Sequence, residues 1–336
     1  MNDIDIVVRW IDHNDRNWLA EKQKYEKLEK NKVDVSIERY RDWDLLRYWF
    51  RGIQQYAPWV RKVFFITYGH RPQWLNISYP KLRFVTHKDF IPDRWLPTFS
   101  SRTIDFNIFR IRDLSNKFVF FDDDMFMLKM SSEKDFFVDN KPCDSMVYNT
   151  ITALFSDYIG QNIFNNMTII NKNFSKDKLN MKEILKVFSF KYGTYLYKNL
   201  VLFPWKHYLG FQDFHLPESL LKSTIAEIWK VEPEILEKTC SHKFRQKDDV
   251  NQWLIRYWQL ADFNFYPRRT NIGKYFELTD DNREIINIIK RQKYKMICLN
   301  EGKSGSVTDF HKQKKQLQRA FQEIFPYKSE FEIEGS

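Results

Sequence analysis

Four short apolar runs constrain the fold of this chain most. "IDIVVRWI" (4–11), "KVFFIT" (62–67), "LRFVTH" (82–87) and "KFVFF" (117–121) are dense in β-branched and aromatic residues, which suit a pleated, buried strand. Between them the hydrophobic period changes. In "DWDLLRYWFRGIQQYAP" (42–58), Leu45, Leu46, Trp49, Phe50 and Ile53 fall on one helical face, and Pro58 ends the segment. "SSRTIDFNIFRIRDL" (100–114) predicts another helix, with Ser100 or Ser101 as N-cap. Strands alternating with helices predict an α/β fold: a mostly parallel, Rossmann-like (GT-A-like) central sheet flanked by helices.

The later sequence continues the pattern less regularly. "PESLLKSTIAEIWK" (217–230), "DDVNQWLIRYWQLADF" (248–263) and "DFHKQKKQLQRAFQEIF" (309–325) predict helices, and "YKMICLN" (294–300) a late strand. The stretch from 130 to 205 contains "IFNNMTIINKNF" and "MKEILKVFSF" and predicts a helical insertion or lid. With no repeat and no flexible linker, the expectation is one catalytic domain over 1–336, its sheet core formed by about 3–129 and 206–330.

Apolar residues make up 43% and aromatic residues 17% of the chain, which excludes disorder for most of it. The net charge of +10 favours anionic partners without choosing among them. Cys143, Cys240 and Cys298 are far apart and show no zinc or disulfide spacing. The N-terminal sequence lacks the basic-then-apolar pattern of a signal peptide. No run approaches the roughly 18 apolar residues of a membrane span. The expected location is cytoplasmic. Nucleic acid is not expected as a partner, because the aromatics sit in apolar periodic segments rather than on a basic stripe.

"KFVFFDDDMFML" (117–128) carries the chemistry. Three carboxylates side by side repel one another, and burying them unpaired is costly. Asp122, Asp123 and Asp124 follow a predicted strand of a parallel sheet, at the edge where ligands gather. Either they form a solvated turn or they bind a hard divalent cation, Mg²⁺ or Mn²⁺. Trp10, Asp12 and Asp15 stand at the same edge after the first strand, where an indole could stack on a base or sugar and acids could bind hydroxyls. Arg47 and Arg51 lie one helical turn apart and could grip a diphosphate, or could simply be a salt-bridged face. His215, before a proline-started helix, could act as general acid or base; Arg245 precedes another helix. "EGKSG" (301–305) is not a phosphate loop, since Ile297 stands where the first glycine belongs.

In order along the chain, these stretches resemble the four conserved blocks of the Stealth family. That family includes bacterial capsular and exopolysaccharide sugar-1-phosphate transferases and the lysosomal-enzyme GlcNAc-1-phosphotransferase. The first block resembles "IDIVVRWIDHND" (4–15). The second spans 39–126, through "LPTFSSRTID" and "FVFFDDDMF". The third covers 214–250, and the fourth runs from "ICLNEG" (297–302) to "FPYKSEFE" (325–332). The pattern departs at Asp122, where the family usually has Asn, at Glu301 for Asp, at Asn107 for a histidine, and in "WIDHND".

The resemblance implies a reaction. A hydroxyl of a glycan acceptor attacks the sugar-bearing phosphorus of a UDP-sugar, a phosphodiester forms and UMP leaves. It implies Asp123, Asp124 and Asn300 around Mg²⁺ or Mn²⁺. Asp124, His215 and Arg245 would be catalytic, and Trp10, Asp12, Arg47, Arg51, Ser100 and Ser101 would contact substrate. The acceptor is expected to be lipid-linked, with peripheral contact at the inner membrane face, where the basic segment "HKQKKQLQR" (311–319) could dock. The alternative reading is a metal-dependent glycosyltransferase that uses the same donor and releases UDP.

Overall fold

The computed structural model of the chain describes residues 3–28, 42–152, 158–177, 179–301 and 307–333. Residues 39–41 of the second block and 302–305 of "EGKSG" lie outside them. Eleven strands are described: β1 (Ile4–Arg9), β2 (Val63–Thr67), β3 (Leu82–Thr86), β4 (Lys117–Phe121), β5 (Met125–Met127), β6 (Phe137–Val138), β7 (Lys141–Asp144), β8 (Glu218–Leu221), β9 (Tyr266–Pro267), β10 (Gly273–Leu278) and β11 (Met296–Glu301).

The central sheet has the order β3-β2-β1-β4-β8. Its first four strands are parallel, with Val8 opposite both Phe65 and Phe121. Both faces are covered, which is why these strands read as continuous apolar runs. Ile4, Ile6 and Val8 pack with Trp49, Phe50 and Ile53 of the helix Leu46–Tyr56 on one side. Val7, Phe64, Phe118 and Phe120 face the other side, against Phe106, Ile225 and Leu254. The alternation follows from the two-residue period of a strand. A second sheet, β10-β11-β5, pairs β11 parallel to β10 and antiparallel to β5. A third, β6-β7-β9, is short. The architecture is α/β with parallel pairing dominant.

Gly52 marks where helix Leu46–Tyr56 crosses the second sheet. A Cβ there would lie 2.8 Å from the Met127 carbonyl oxygen, so only glycine permits this approach. Gly273 does the same beside the site: its Cβ would lie 2.6 Å from the Met296 carbonyl oxygen and 2.9 Å from Leu216.

Several elements differ from the sequence reading. The predicted helix over 217–230 begins only at Lys222. Glu218–Leu221 is instead the antiparallel edge strand β8, with Leu221 opposite Lys117, because pairing with β4 outweighs local helical preference. The helix predicted over 248–263 spans Trp253–Ala261; Asp249 is held by the side chain of Arg102 and by His242 (Nδ1 to Oδ1, 2.6 Å). The helix predicted over 100–114 is Ser101–Asn107, followed by a 3-10 turn at Ile108–Arg110. Within 130–205, β6 and β7 come first and helices only later: Tyr158–Asn173, Met181–Val187 and Leu196–Leu202. Asn166 and Asn199, both fully buried, tie these helices to the core through bonds to Asn251 (2.7 Å) and to the Met146 carbonyl (2.8 Å).

Candidate active site

The parallel pairing of β1 with β4 sets Arg9 beside Asp122. The Arg9 guanidinium donates to Asp122 Oδ1 from Nη2 at 2.7 Å and from Nε at 3.1 Å. Its Nη1 lies 3.2 Å from Asp105 Oδ2. Asp105 comes from helix Ser101–Asn107 and is 1% exposed. Burial pushes its carboxyl up to about 7, against the pull of Arg9. Burial alone would also raise Asp122, but Arg9, with His215 and Arg245 beyond it, holds that carboxyl below its ordinary value.

The other two aspartates have no such cation. Enclosure by the protein, then the charges of Asp122 and Asp42, push Asp123 up to about 7. The Asp123 side chain reaches solvent, and the like charges of Asp122 and Asp42 act on it there. Asp124 is raised well above the carboxylate range by burial and then by Asp122 and Asp123. Its Oδ1 is buried without a hydrogen-bond partner. The Leu299 N–H donates to the Asp124 carbonyl at 2.9 Å, which latches the aspartate corner to β11.

β11 adds Cys298 and Asn300 on one face. Ligand atoms of Asp124, His215 and Cys298 all lie within 4.8 Å of one another. Burial raises the Cys298 thiol well above its ordinary value, and Asp124 adds to that effect and accepts its hydrogen bond. Asn300 Nδ2 is 3.5 Å from the Tyr275 hydroxyl, and the Tyr275 ring centroid is 5.2 Å from that of His215. The His215 backbone is left-handed (φ 49°), its N–H donates to Asp213 Oδ1 at 2.8 Å, and its Nδ1 lies 3.9 Å from Asp213 Oδ2. Arg245 donates from Nη2 to Ser101 Oγ at 2.9 Å and acts electrostatically on both Asp105 and Asp122.

The structure thus gathers Asp122, Asp123, Asp124, His215, Arg245, Ser101 and Asn300 at the carboxyl end of the parallel strands. Other predicted residues fall elsewhere. Arg51 is a correction: it is 8% exposed and gives Nε and Nη2 to Glu332 at 2.8 and 2.7 Å and Nη1 to the Phe325 carbonyl at 2.8 Å, which leaves nothing for a diphosphate. Arg47 does not pair with it but lies over Trp74, 5.2 Å from the ring centroid. Trp10 is also a correction. It is buried, stacked on Phe65 at 5.8 Å and edge-on to His70 at 5.3 Å, so it braces the strand end rather than offering a stacking face. Ser100 is fully buried and closed to a ligand; it holds the N-cap position without a side-chain cap bond. Asp12 closes a turn, accepting from the Asn14 N–H at 2.9 Å, while its own N–H donates to His70 Nε2 at 2.8 Å. Asp15 caps helix Arg16–Glu26 by accepting from the Trp18 N–H.

Sequence reasoning missed Arg9, Asp105, Asp213, Tyr275 and Cys298. One signal existed for Arg9, a cation ending an otherwise apolar strand. Asp213 stands two residues before His215, while Asp105, Tyr275 and Cys298 meet the site only through tertiary contacts.

The donor set suits a divalent cation bound through oxygen. The carboxylates of Asp123 and Asp124 and the carboxamide oxygen of Asn300 are hard ligands, one carboxylate oxygen has no partner, and negative charge exceeds what Arg9 and Arg245 neutralise. The Cys298 sulfur is a soft ligand and does not belong to such a set.

Comparison with known proteins finds relatives named as polysaccharide phosphotransferases. The profile of Stealth protein conserved region 2 matches residues 39–144. The "Capsular polysaccharide phosphotransferase WcwK" of Streptococcus pneumoniae is 43% identical over 333 residues, covering 99% of this chain and 98% of the relative. The "Exopolysaccharide phosphotransferase cps2G" of Lactiplantibacillus plantarum is 37% identical over 98% of this chain and 96% of its own length. The "Receptor polysaccharide phosphotransferase WefC" of Streptococcus gordonii is 36% identical, with 98% and 99% covered. Among the described residues, no helix is long and apolar enough to cross a membrane.

Proposed function

The chain belongs to the Stealth family and is a phosphotransferase, and from that premise we propose that it moves a hexose-1-phosphate from a UDP-sugar to a hydroxyl of a glycan acceptor in capsular or exopolysaccharide synthesis. The bond made is acceptor oxygen to phosphorus. The bond broken joins that phosphorus to the bridging oxygen, so UMP leaves and the product is a phosphodiester.

One observation carries the reading: carboxylates in excess of their counter-charges converge with a histidine and an arginine from distant parts of the chain. Such a corner is unfavourable by itself and becomes favourable when a metal-bound diphosphate enters. Asp123, Asp124 and Asn300 would hold Mg²⁺ or Mn²⁺, which when bound neutralises charge on the diphosphate and on the departing UMP. Arg245, positioned by Ser101, stabilises the phosphoryl oxygens as charge redistributes. Arg9 does not reach substrate; it fixes Asp122 against Asp105 and so sets the shape of the corner. His215, with its backbone anchored by Asp213, takes the proton from the attacking hydroxyl. Among the described residues Arg47 pairs with no carboxylate, and it is the family-matched guanidinium available to the donor. In-line placement does much of the work in such transfers, with little covalent help from the protein.

The test is identification of the released nucleotide when the purified chain is incubated with UDP-sugars, Mg²⁺ and glycan acceptors. Release of UMP with a phosphodiester product is expected. Release of UDP would overturn the reading in favour of ordinary glycosyl transfer.

A further inference from the structure

The predicted membrane contact through the basic helix Phe310–Ile324 meets a difficulty. That helix spends its apolar residues Leu317, Ala320 and Phe321 on the core, so it offers charge alone. Exposed apolar side chains gather elsewhere, between 181 and 205. Met181 and Leu185 lie one turn apart on helix Met181–Val187, and Leu200 and Val201 are exposed on helix Leu196–Leu202. Phe190 is 92% exposed and Trp205 52%. The two helices are joined by Phe188 and Phe203, with ring centroids 5.1 Å apart. Large apolar side chains left open in such a cluster mark a binding surface.

Charge tells what kind of surface. From 181 to 206 there are five lysines and one glutamate. Lys191, next to Phe190, also lines a cavity of about 420 Å³. Seven cationic side chains and one carboxylate, Asp135, face that cavity, and Asp135 is already paired with Lys295 at 2.7 Å. Lys134, Lys293 and Arg269 are exposed at its rim. Arg268 lines both this cavity and the small recess of His215 and Asp213, and among the described residues its buried Nε and Nη1 find no hydrogen-bond partner. A second copy of the chain would bring lysines against lysines, which disfavours a self-contact. An anionic bilayer complements both features: interfacial aromatics beside a cationic hollow.

We propose that this face docks the protein on a membrane, with the phosphates of an anionic phospholipid in the basic cavity and Phe190 and Trp205 in the interfacial layer. Arg268 then places the bilayer surface next to the His215 recess, where a lipid-linked acceptor would be presented. The docking itself does not depend on the transferase reading, and vesicle binding measured without donor lets the two fail separately.

The experiment is flotation of the full chain with phosphatidylcholine vesicles, with or without phosphatidylglycerol. Binding is expected only with phosphatidylglycerol, and to weaken with salt. The exposed-site variant F190S/W205S and the cavity variant K134E/K293E should each lose about tenfold or more in vesicle affinity, given roughly fivefold per surface lysine, with unchanged melting. K312E/K315E on the C-terminal helix should stay within about twofold of wild type by the same reckoning. Wild type left unbound by phosphatidylglycerol vesicles would overturn the proposal, as would F190S/W205S binding normally. Normal binding by K134E/K293E would remove lipid phosphate from the cavity. A dimer that F190S/W205S dissociates, with vesicle binding intact, would make the face a contact between copies instead.

Discussion

Two arginines, Arg51 buried and Arg9 half-buried, make an instructive pair. Arg51 meets one carboxylate, Glu332, through two parallel hydrogen bonds, and a backbone carbonyl takes its remaining nitrogen. The surroundings hold Glu332 below its ordinary value, Arg51 and Ser329 outweighing the effect of burial. Arg9 is shared between Asp105 and Asp122 and acts on Asp123 only from a distance, so Asp123 and Asp124 are raised by burial and by their neighbours. The first arrangement is balanced and therefore structural. The second carries surplus negative charge, which folding alone gives no reason to assemble. Charge imbalance in an enclosed place, more than burial or residue type, separates the ligand site from the brace.

This contrast can be broken by substitution. The largest effect should come from the unbalanced corner. Asp124→Asn and His215→Asn should each lower the rate of UMP release by about a thousandfold, the range for loss of a positioned acid–base or charge-stabilising group. Asp124→Asn should also melt no lower than wild type, because it relieves repulsion. A variant that releases UMP at the wild-type rate would exclude its residue from the site. Arg51→Ala should do the reverse. It strands Glu332 in the interior and should cost about 3–5 kcal/mol in denaturant unfolding, while KM for the donor in the folded fraction stays unchanged. A raised KM with normal stability would return Arg51 to the diphosphate.

His87 gives a third case, a titratable ring kept neutral by exclusion of water. Burial lowers it to about 3, and its Nδ1 has no hydrogen-bond partner. The unfolded chain protonates this residue near 6.5. Its contribution is therefore whole above pH 6.5 and declines as pH falls toward 3, by about 2 kcal/mol at pH 5. His87→Phe should flatten that part of the pH–stability curve; an unchanged curve would show that His87 is solvated. The smallest effect sharpens the metal assignment. Saturating Mg²⁺ should raise the melting temperature by a few degrees, since a ligand that binds only the folded state stabilises it. The rise should vanish in Asp123→Asn/Asp124→Asn, and persistence there would place the ion elsewhere.

The parts of the molecule legible in its sequence were those where one residue's neighbours along the chain carry the signal. β1 to β4 are covered on both faces, so their apolar runs are unbroken. The three aspartates stand out because charge interrupts such a run. β8 was hidden: "ESLL" leads directly into a helix, and only its partner β4 makes it a strand. Arg47 and Arg51 share a helix and a spacing, yet Glu332, supplied from the far end of the chain, gives them different fates. Asp105 carries no local mark, because it gains its meaning from Arg9, a group brought close by folding, whereas Asp213 stands two residues before the histidine it anchors.

The latch between Asp124 and Leu299 has a consequence for how the protein comes into being. The corner made by residues 122–124 is synthesised early but is propped by β11, so a ribosome must deliver most of the polypeptide before the pocket acquires its final wall. Partial products hold the acids without their support, and the phosphotransferase gains its complete corner late in translation, nearly all at once.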